Sequence, residues 1–434
     1  MQQEITIFWF RRDLRLEDNI GLFSALSENK NVLPIFIFDI EILEHLPKND
    51  ARVTFIYESL DGIKSKLQKK GKNISIYNGK PIDILKDLIK KYSIIKVYTN
   101  HDYEPYAQER DQEIKQLLQE YKIEFKTYKD QVFFETNEIV KADGKPYLVY
   151  TPYKNKWKET FRARKLEQFP SEKLLENCIA DFDFQALNLK DLGFETSNIK
   201  VLPYKATPGL IEDYENTRNF PALKNGTSKT APHLRFGTVS IRKLLRRAIA
   251  QKNEIFWSEL IWREFFMQIL WHFPHTQHKA FKPKYDRIEW RNNESEFERW
   301  KTGTTGYPLV DAGMRELNET GYMHNRVRML VSSFLCKHLL IDWRWGEAYF
   351  AEKLLDYEMS SNIGNWQWVA GTGVDAAPYF RIFNPTTQIE KFDKKHIYIR
   401  KWVTDIDELT YPQPMVDHKM ARERCLTTYK KAVS

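Results

Sequence analysis

The residues best suited to chemistry gather late in the chain. In NWQWVAGTGVDAAP (365–378), Trp366 and Trp368 stand two positions apart among glycines. On a helix that spacing turns the two indoles about 200° from each other. One can then face an inner path and the other a pocket. The competing reading is two core tryptophans, each packing a different neighbouring helix. ELIWREFF (259–266) sets Glu259, Trp262, Arg263 and Phe266 on one helical face. A charged pair beside aromatics suits a pocket lining better than a core, because unpaired buried charge is costly. MHNRVRM (323–329) places Asn325, Arg328 and Met329 on one face with Arg326 beside them. His324 is a candidate acid or base there, against the alternative of a histidine satisfied by a neighbouring backbone group. NGTSKTAPHLRFG (225–237) offers Thr227, Ser228, Lys229 and Thr230 before a helical pattern. Small hydroxyls, a lysine and free N–H groups at a helix start suit phosphate; an N-cap with a turn is the plainer reading. WHFPHTQH (271–278) carries His272, His275 and His278. Pro274 interrupts the helix that a metal-ligating spacing would need, so no metal is expected.

Composition bounds the class. The chain has 434 residues, long enough for two domains or three. Its net charge of +8 fits either a polyanionic partner or a mildly basic enzyme. The 12 Trp, 22 Tyr and 27 Phe are core residues or platforms for flat π-systems. Cys178, Cys336 and Cys425 are scattered and odd in number, which argues against a disulfide framework and fits a reducing compartment. No apolar run reaches the ~18 residues of a membrane span. A cytoplasmic protein is expected.

These residues need a scaffold. ITIFWF (5–10), VLPIFIFD (32–39), ISIYNG (74–79) and IIKVYTN (94–100) read as buried strands. Helical patterns separate them, as in residues 51–71, where Gly71 is a plausible cap. That alternation implies a doubly wound parallel sheet. The absence of GxGxxG after the first strand excludes the usual dinucleotide site there. The expected organisation is α/β followed by all-α. It comprises a Rossmann-like domain (1–130), a long connector (131–204) and a helical domain (205–434). IRKLLRRA (241–248) is a basic face, either solvated or for phosphate contact.

FWFRRDLRLEDN, TSKTAPHLRFGTVS, ELIWREF, GYPLVDAGMREL, GYMHNRVRM, LLIDWRWGE, NWQWVAGTGVDAAPYFRIFNPTTQ and YPQPMVDHK occur in this order. Together they strongly resemble the photolyase/cryptochrome family, most closely the class I cyclobutane pyrimidine dimer photolyases. The resemblance covers nearly the whole chain and is densest from about 205 to 420.

The resemblance implies a helical domain that holds FAD in a folded form. Thr227, Ser228 and Lys229 look like the family's FAD phosphate loop, with Tyr214 before it and Thr230 after it. Relatives often carry Leu-Ser where this chain has Thr230-Ala231. Arg263 and Glu358 join the cofactor set. Asp356 and Arg328 match the ion pair beside the isoalloxazine. Asn362 matches the amide facing flavin N5, where plant-type photoreceptors carry Asp. Trp366, Trp343 and Trp290 match the inner, middle and outer members of an electron-transfer chain.

The implied activity is light-driven DNA repair. Reduced FAD, excited by blue light, passes an electron to a flipped-out cyclobutane pyrimidine dimer and splits it. Glu259 and Asn325 match groups that hydrogen-bond the pyrimidine carbonyls. Trp262 and Trp368 flank the dimer, Met329 lines its pocket, and Arg326 meets the DNA. Asn325 stands where (6-4) photolyases carry a second histidine. After Tyr103-Glu104 come Pro105-Tyr106-Ala107 rather than the Asn-Glu of folate-binding relatives. A folate, a deazaflavin, a flavin or no second chromophore remain open. The expected partner is UV-damaged DNA, and the expected form is a monomer, associated with the nucleoid when bound. The competing class is a cryptochrome-type blue-light sensor. Asn362, Glu259 with Trp262, and the short segment after YPQPMVDHK favour repair.

Overall fold

The fold was obtained as a computed structural model describing residues 3–434. Five parallel strands, β1 (Glu4–Phe10), β2 (Val32–Asp39), β3 (Ser75–Gly79), β4 (Ser93–Asn100) and β5 (Glu124–Tyr128), form one sheet. Their order is β3-β2-β1-β4-β5, and every neighbouring pair is parallel. This is the doubly wound arrangement anticipated from the alternating pattern. All eight residues of β2 are buried, as a strand covered on both faces requires.

Helices α1 (Ile20–Glu28), α2 (Ala51–Gln68), α3 (Pro81–Lys91) and α4 (Pro105–Glu120) make the crossovers. Their starts are written locally. The Asn19 and Asp50 side chains accept from Leu22 N and Arg52 N, and Pro81 and Pro105 sit in the first turn. Alternation along β1 divides the core. Phe8 and Phe10 join Leu22 and Leu60 on one face. Ile7 and Trp9 join Leu85 and Leu117 on the other.

Beyond β5 the chain continues through α5 (Tyr150–Arg162), α6 (Ile241–Ile249), α7 (Ile255–His272), α8 (Pro308–Thr320), α9 (Asn325–Ser333), α10 (Trp343–Lys353), α11 (Met359–Ala370) and α12 (His418–Val433). α7 stops at His272, one residue before Phe273-Pro274, as the proline dictates. A π-helical turn, Phe334–His338, follows α9.

The chain divides into two compact units, neither continuous in sequence. One comprises the described residues up to Glu138 with Thr160–Tyr204 and Lys229–Ile249; the other comprises Ile139–Glu159, Lys205–Ser228 and Ala250–Ser434. The stretch between β5 and residue 205 is therefore shared between the units, and α6 belongs with the sheet.

In the helical unit α7 is apolar on most of its circumference and is largely buried. Its neighbours approach through glycine. A Cβ on Gly364 of α11 would lie 2.2 Å from Phe266 Cδ1. One on Gly346 of α10 would lie 2.1 Å from the Trp366 ring. Gly371 ends α11 at φ +86°, a left-handed conformation that favours glycine. Among the described residues, no helix is long and apolar enough to cross a membrane.

Candidate active site

α9, α10 and α11 line a pocket within the helical unit, about 530 Å³ of empty space that opens to solvent. Asn325, Arg328 and Met329 line it from α9, and Asn362 and Trp366 from α11. Asp356 and Glu358, in the turn that leads into α11, complete the polar side. Seven of the residues singled out in the sequence thus meet on one lining. Helical spacing is the reason. Asn325, Arg328 and Met329 sit at i, i+3 and i+4, as do Asn362 and Trp366 at i and i+4.

The lining is built from pinned polar groups. Arg328 donates to Asp356 Oδ2 at 2.9 Å and to the Met323 carbonyl at 2.8 Å. Asp356 brings its other oxygen, Oδ1, to a buried position with no hydrogen-bond partner among the described residues. The buried Trp366 indole N–H likewise has none. The Asn362 amide donates to the Glu347 carboxyl at 2.9 Å and to its carbonyl at 3.1 Å. Burial raises the Glu347 carboxyl above the ordinary glutamate range, against the pull of its bonds to Asn362 and Tyr357. Arg263 of α7 grips Glu358 in a two-point ion pair at 2.9 and 3.0 Å, fixing α7 to the start of α11. His324 caps α9: its Nδ1 accepts from Arg326 N at 3.2 Å. The imidazole thus serves as a helix cap, which replaces the acid–base reading.

A second group forms around α7. Glu259 pairs with Arg218, whose guanidinium lies over the Tyr214 ring. Desolvation raises the Glu259 carboxyl, and Arg218 opposes that rise. Trp262 is half-buried and stacks on Tyr150. Arg326 donates to Asn219 Oδ1 at 2.6 Å, lies over Phe392, and is repelled by Arg218 and Arg381. Trp368 is half-buried, whereas Trp366 is 2% exposed. The helical geometry of the opening motif thus separates the two indoles.

Trp366 and Trp343 are buried in one apolar cluster, and Trp290 packs against it half-exposed. Thr227 and Ser228 fall in the helical unit; Lys229 and Thr230 fall in the sheet-bearing one. Lys229 adopts φ +56°, uncommon without glycine, and Thr230 holds the N-cap position of the short helix Ala231–Arg235.

Sequence reading missed Arg218, Glu347 and Tyr150. Arg218 follows Tyr214 by four residues, a helical neighbour spacing. Glu347 follows Trp343 by the same interval within the quoted LLIDWRWGE. Tyr150 carried no periodic signal.

A pocket lined by paired polar groups and a buried indole suits a flat, polar ring system, and comparison with known proteins identifies the class. Residues 6–173 match the family model for DNA photolyase, and residues 256–410 match the FAD binding domain of DNA photolyase. The chain belongs to the DNA photolyase family. It is 37% identical to the deoxyribodipyrimidine photo-lyase of Agrobacterium fabrum, over 98% of this chain and 97% of that one. It is 34% identical to that of Escherichia coli, over 98% of each. Among solved structures, a class III photolyase from Agrobacterium tumefaciens superposes with TM-score 0.88 at 32% identity, covering 100% of this chain and 98% of that one. An archaeal photolyase from Sulfolobus tokodaii, solved with two FAD molecules, superposes with TM-score 0.85 at 36% identity, covering 98% and 100%.

The cavity residues fit FAD. An unpartnered acceptor on Asp356 and an unpartnered donor on Trp366 belong to a lining that suits a ring system bearing both N–H and acceptor groups.

Proposed function

We propose that the chain repairs cyclobutane pyrimidine dimers in UV-damaged DNA in a light-driven reaction. The observation that carries the reading is the single cavity lining shared by Asn362, the Arg328–Asp356 pair and Trp366 on one hand and Asn325 and Met329 on the other. Residues suited to a redox cofactor and residues suited to a flipped base occupy one space. FAD, when bound and reduced, supplies the photoexcited electron.

The protein's own groups hold and orient. Asp356, Arg328, Asn362, Arg263, Glu358 and Tyr214, with the Thr227–Thr230 loop, would hold the cofactor. Asn362 is pinned by Glu347, so its amide keeps one orientation without adding charge. Glu259, which desolvation raises and Arg218 opposes, would face a pyrimidine carbonyl where negative charge develops. Asn325, on the cavity lining, would donate to the other carbonyl. Trp262 and Trp368 flank the flipped dimer, which is extruded because its target bonds are inaccessible inside the duplex. Arg326, in the field of Arg218 and Arg381, meets the phosphate backbone. Trp366, Trp343 and Trp290 run from buried to half-exposed, the order an inward electron path requires. The enzyme would act as a cytoplasmic monomer on nucleoid DNA.

The deciding experiment is repair of a thymine-dimer oligonucleotide by reduced protein in blue light and in darkness. Light-dependent recovery of thymine absorbance is expected. Absence of repair with FAD bound would move the weight to a photoreceptor.

A further inference from the structure

KPYLVYTPY (145–153) carries no periodic signal and no charge constellation, yet it places an aromatic ring directly behind Trp262. The Tyr150 and Trp262 ring centroids lie 3.5 Å apart with their planes 7° from parallel. Tyr150 is buried, at 6% exposure, so it is not itself a surface for DNA. Phe265 meets both rings edge-on, at 5.8 Å from Tyr150 and 5.6 Å from Trp262. The tilt of the Trp262 indole is therefore constrained from two directions.

Tyr150 is held at both ends. Its phenol donates to the Ser258 carbonyl of α7 at 2.7 Å. Its backbone N–H donates to Asp375 Oδ2 at 3.0 Å, in the loop that follows α11. Three residues earlier, the Tyr147 carbonyl accepts from Gln268 of α7 at 2.9 Å. Asp375 sits at φ +46°, a left-handed conformation unfavourable for a residue with a Cβ. Burial and the nearby Glu259 carboxylate both push the Tyr150 phenol upward from its usual range, so it stays a neutral donor. Residues 147–150 thus bridge the helix bearing Trp262 and the segment just after Trp368.

We propose that Tyr150 is a positioning residue for lesion recognition: it sets the plane of Trp262 and, through Asp375, the width of the slot between the Trp262 and Trp368 walls. The slot then accepts a cross-linked pyrimidine pair in preference to undamaged DNA. The inference rests on the proposed repair function, in which Trp262 and Trp368 flank the dimer.

The test measures the affinity of the FAD-loaded, full-length protein for a thymine-dimer duplex and for the same duplex undamaged. Tyr150→Leu removes the stack and should lower the damaged-to-undamaged ratio about threefold to tenfold, the range of one aromatic pair. Binding of undamaged DNA and photoreduction of bound FAD should not change. Tyr150→Phe keeps the ring and should restore the ratio to within about twofold. Asp375→Gly suits the local backbone and cuts the tie to Tyr150, along with the attraction of Asp375 for Lys282, and should lower the ratio in the same direction. If Tyr150→Leu does not retain FAD, Asp375→Gly carries the test. An unchanged ratio in the variant that folds overturns the inference, provided that the parent protein prefers and repairs dimers. A parent protein with neither preference nor repair overturns the functional reading itself.

Discussion

The two units treat buried charge in opposite ways. In the sheet-bearing unit the most enclosed ion pairs match acids with arginines. Asp130 takes Arg15 at 2.6 Å and Arg242 at 2.8 Å, and both side chains of each pair are almost fully enclosed. Glu104 takes Arg235 at 2.7 Å and Arg12 at 3.2 Å. The arginines hold Asp102 and Asp130 below the ordinary carboxylate range despite burial. Asp13 and Asp39 depart from this pattern: burial raises both, and the amides of Asn19 and Asn100 bond Asp13 while the Tyr106 hydroxyl bonds Asp39. Around the cavity of the helical unit, Glu358 is matched by Arg263, but elsewhere burial outweighs pairing. Glu259 and Glu347 are raised, and Asp356 keeps one oxygen unpartnered. At the cavity, the unpartnered oxygen of Asp356 marks a place where a ligand can supply the missing partner.

Removing one acid from each unit should therefore have different consequences. Asp130→Ala takes the carboxylate partner from the enclosed Arg15, while Arg242 keeps Asp18, and should cost about 3–5 kcal/mol of stability without altering FAD affinity per folded molecule. Asp356→Asn keeps the shape and one acceptor, beside an arginine that is partly exposed. It should cost the apoprotein less and weaken FAD retention more. Thermal melts of apo and FAD-loaded protein separate the two effects. Equal losses in both forms for both variants would abolish the distinction.

Glycine sharpens the same contrast. A Cβ on Gly237 would stand 2.1 Å from the Arg12 carbonyl oxygen, within the sheet-bearing unit, and its φ is +67°. The contact is backbone, which cannot yield locally. A Cβ on Gly346 would stand 2.1 Å from the far edge of the Trp366 indole. Gly237→Ala and Gly346→Ala should each cost about 1–3 kcal/mol as overpacking. Only Gly346→Ala should also slow photoreduction of FAD, because relief requires the indole to move. Flash-photolysis rates unchanged in Gly346→Ala would remove Trp366 from the electron path.

What could be read in advance follows from how far each signal reaches along the chain. The three inner strands, β2, β1 and β4, stand out because burial on both faces favours continuous apolar runs, and β3, at the other edge, keeps a buried start at Ser75 and Ile76. β5 (EFKTY) has no such run, since it lies at the sheet edge with none of its residues fully buried. The cavity lining was legible because α9 and α11 each present several of its residues at helical spacing. The partners Arg218 and Glu347 were legible only as i+4 neighbours of residues already chosen. Tyr150 was not legible at all: its stack joins positions 112 residues apart (262 − 150), a pairing that only the folded chain creates. The unit boundaries escaped linear reading for the same reason, since Ile139–Glu159 belongs by contact to the later half of the chain.

The smallest effect tests whether incomplete pairing always means a ligand. His338, in the π-helical turn, is fully buried, and its Nε2 lies 2.8 Å from Nδ1 of His418 on α12. Its Nδ1 has no partner among the described residues. Arg424 donates to its backbone carbonyl, and the Phe334 ring stacks on the imidazole at 4.8 Å. Burial, with His418, Arg424 and Lys337 adding repulsion, lowers the His338 pKa to about 3. His418 is lowered in the same direction. The unfolded chain takes a proton on histidine near its ordinary value of 6.5, while the native state resists it. Stability from this group is thus complete above 6.5 and is lost as pH falls toward 3. One histidine should account for about 1 kcal/mol of lost stability at a pH one unit below the unfolded value. His338→Gln cannot titrate, so its stability should fall less than that of the parent between pH 7.5 and 5.5 in urea titrations. A parallel decline in both proteins would mean that the imidazole is protonated in the native fold, and that its free nitrogen is not the enclosed, partnerless atom the packing implies.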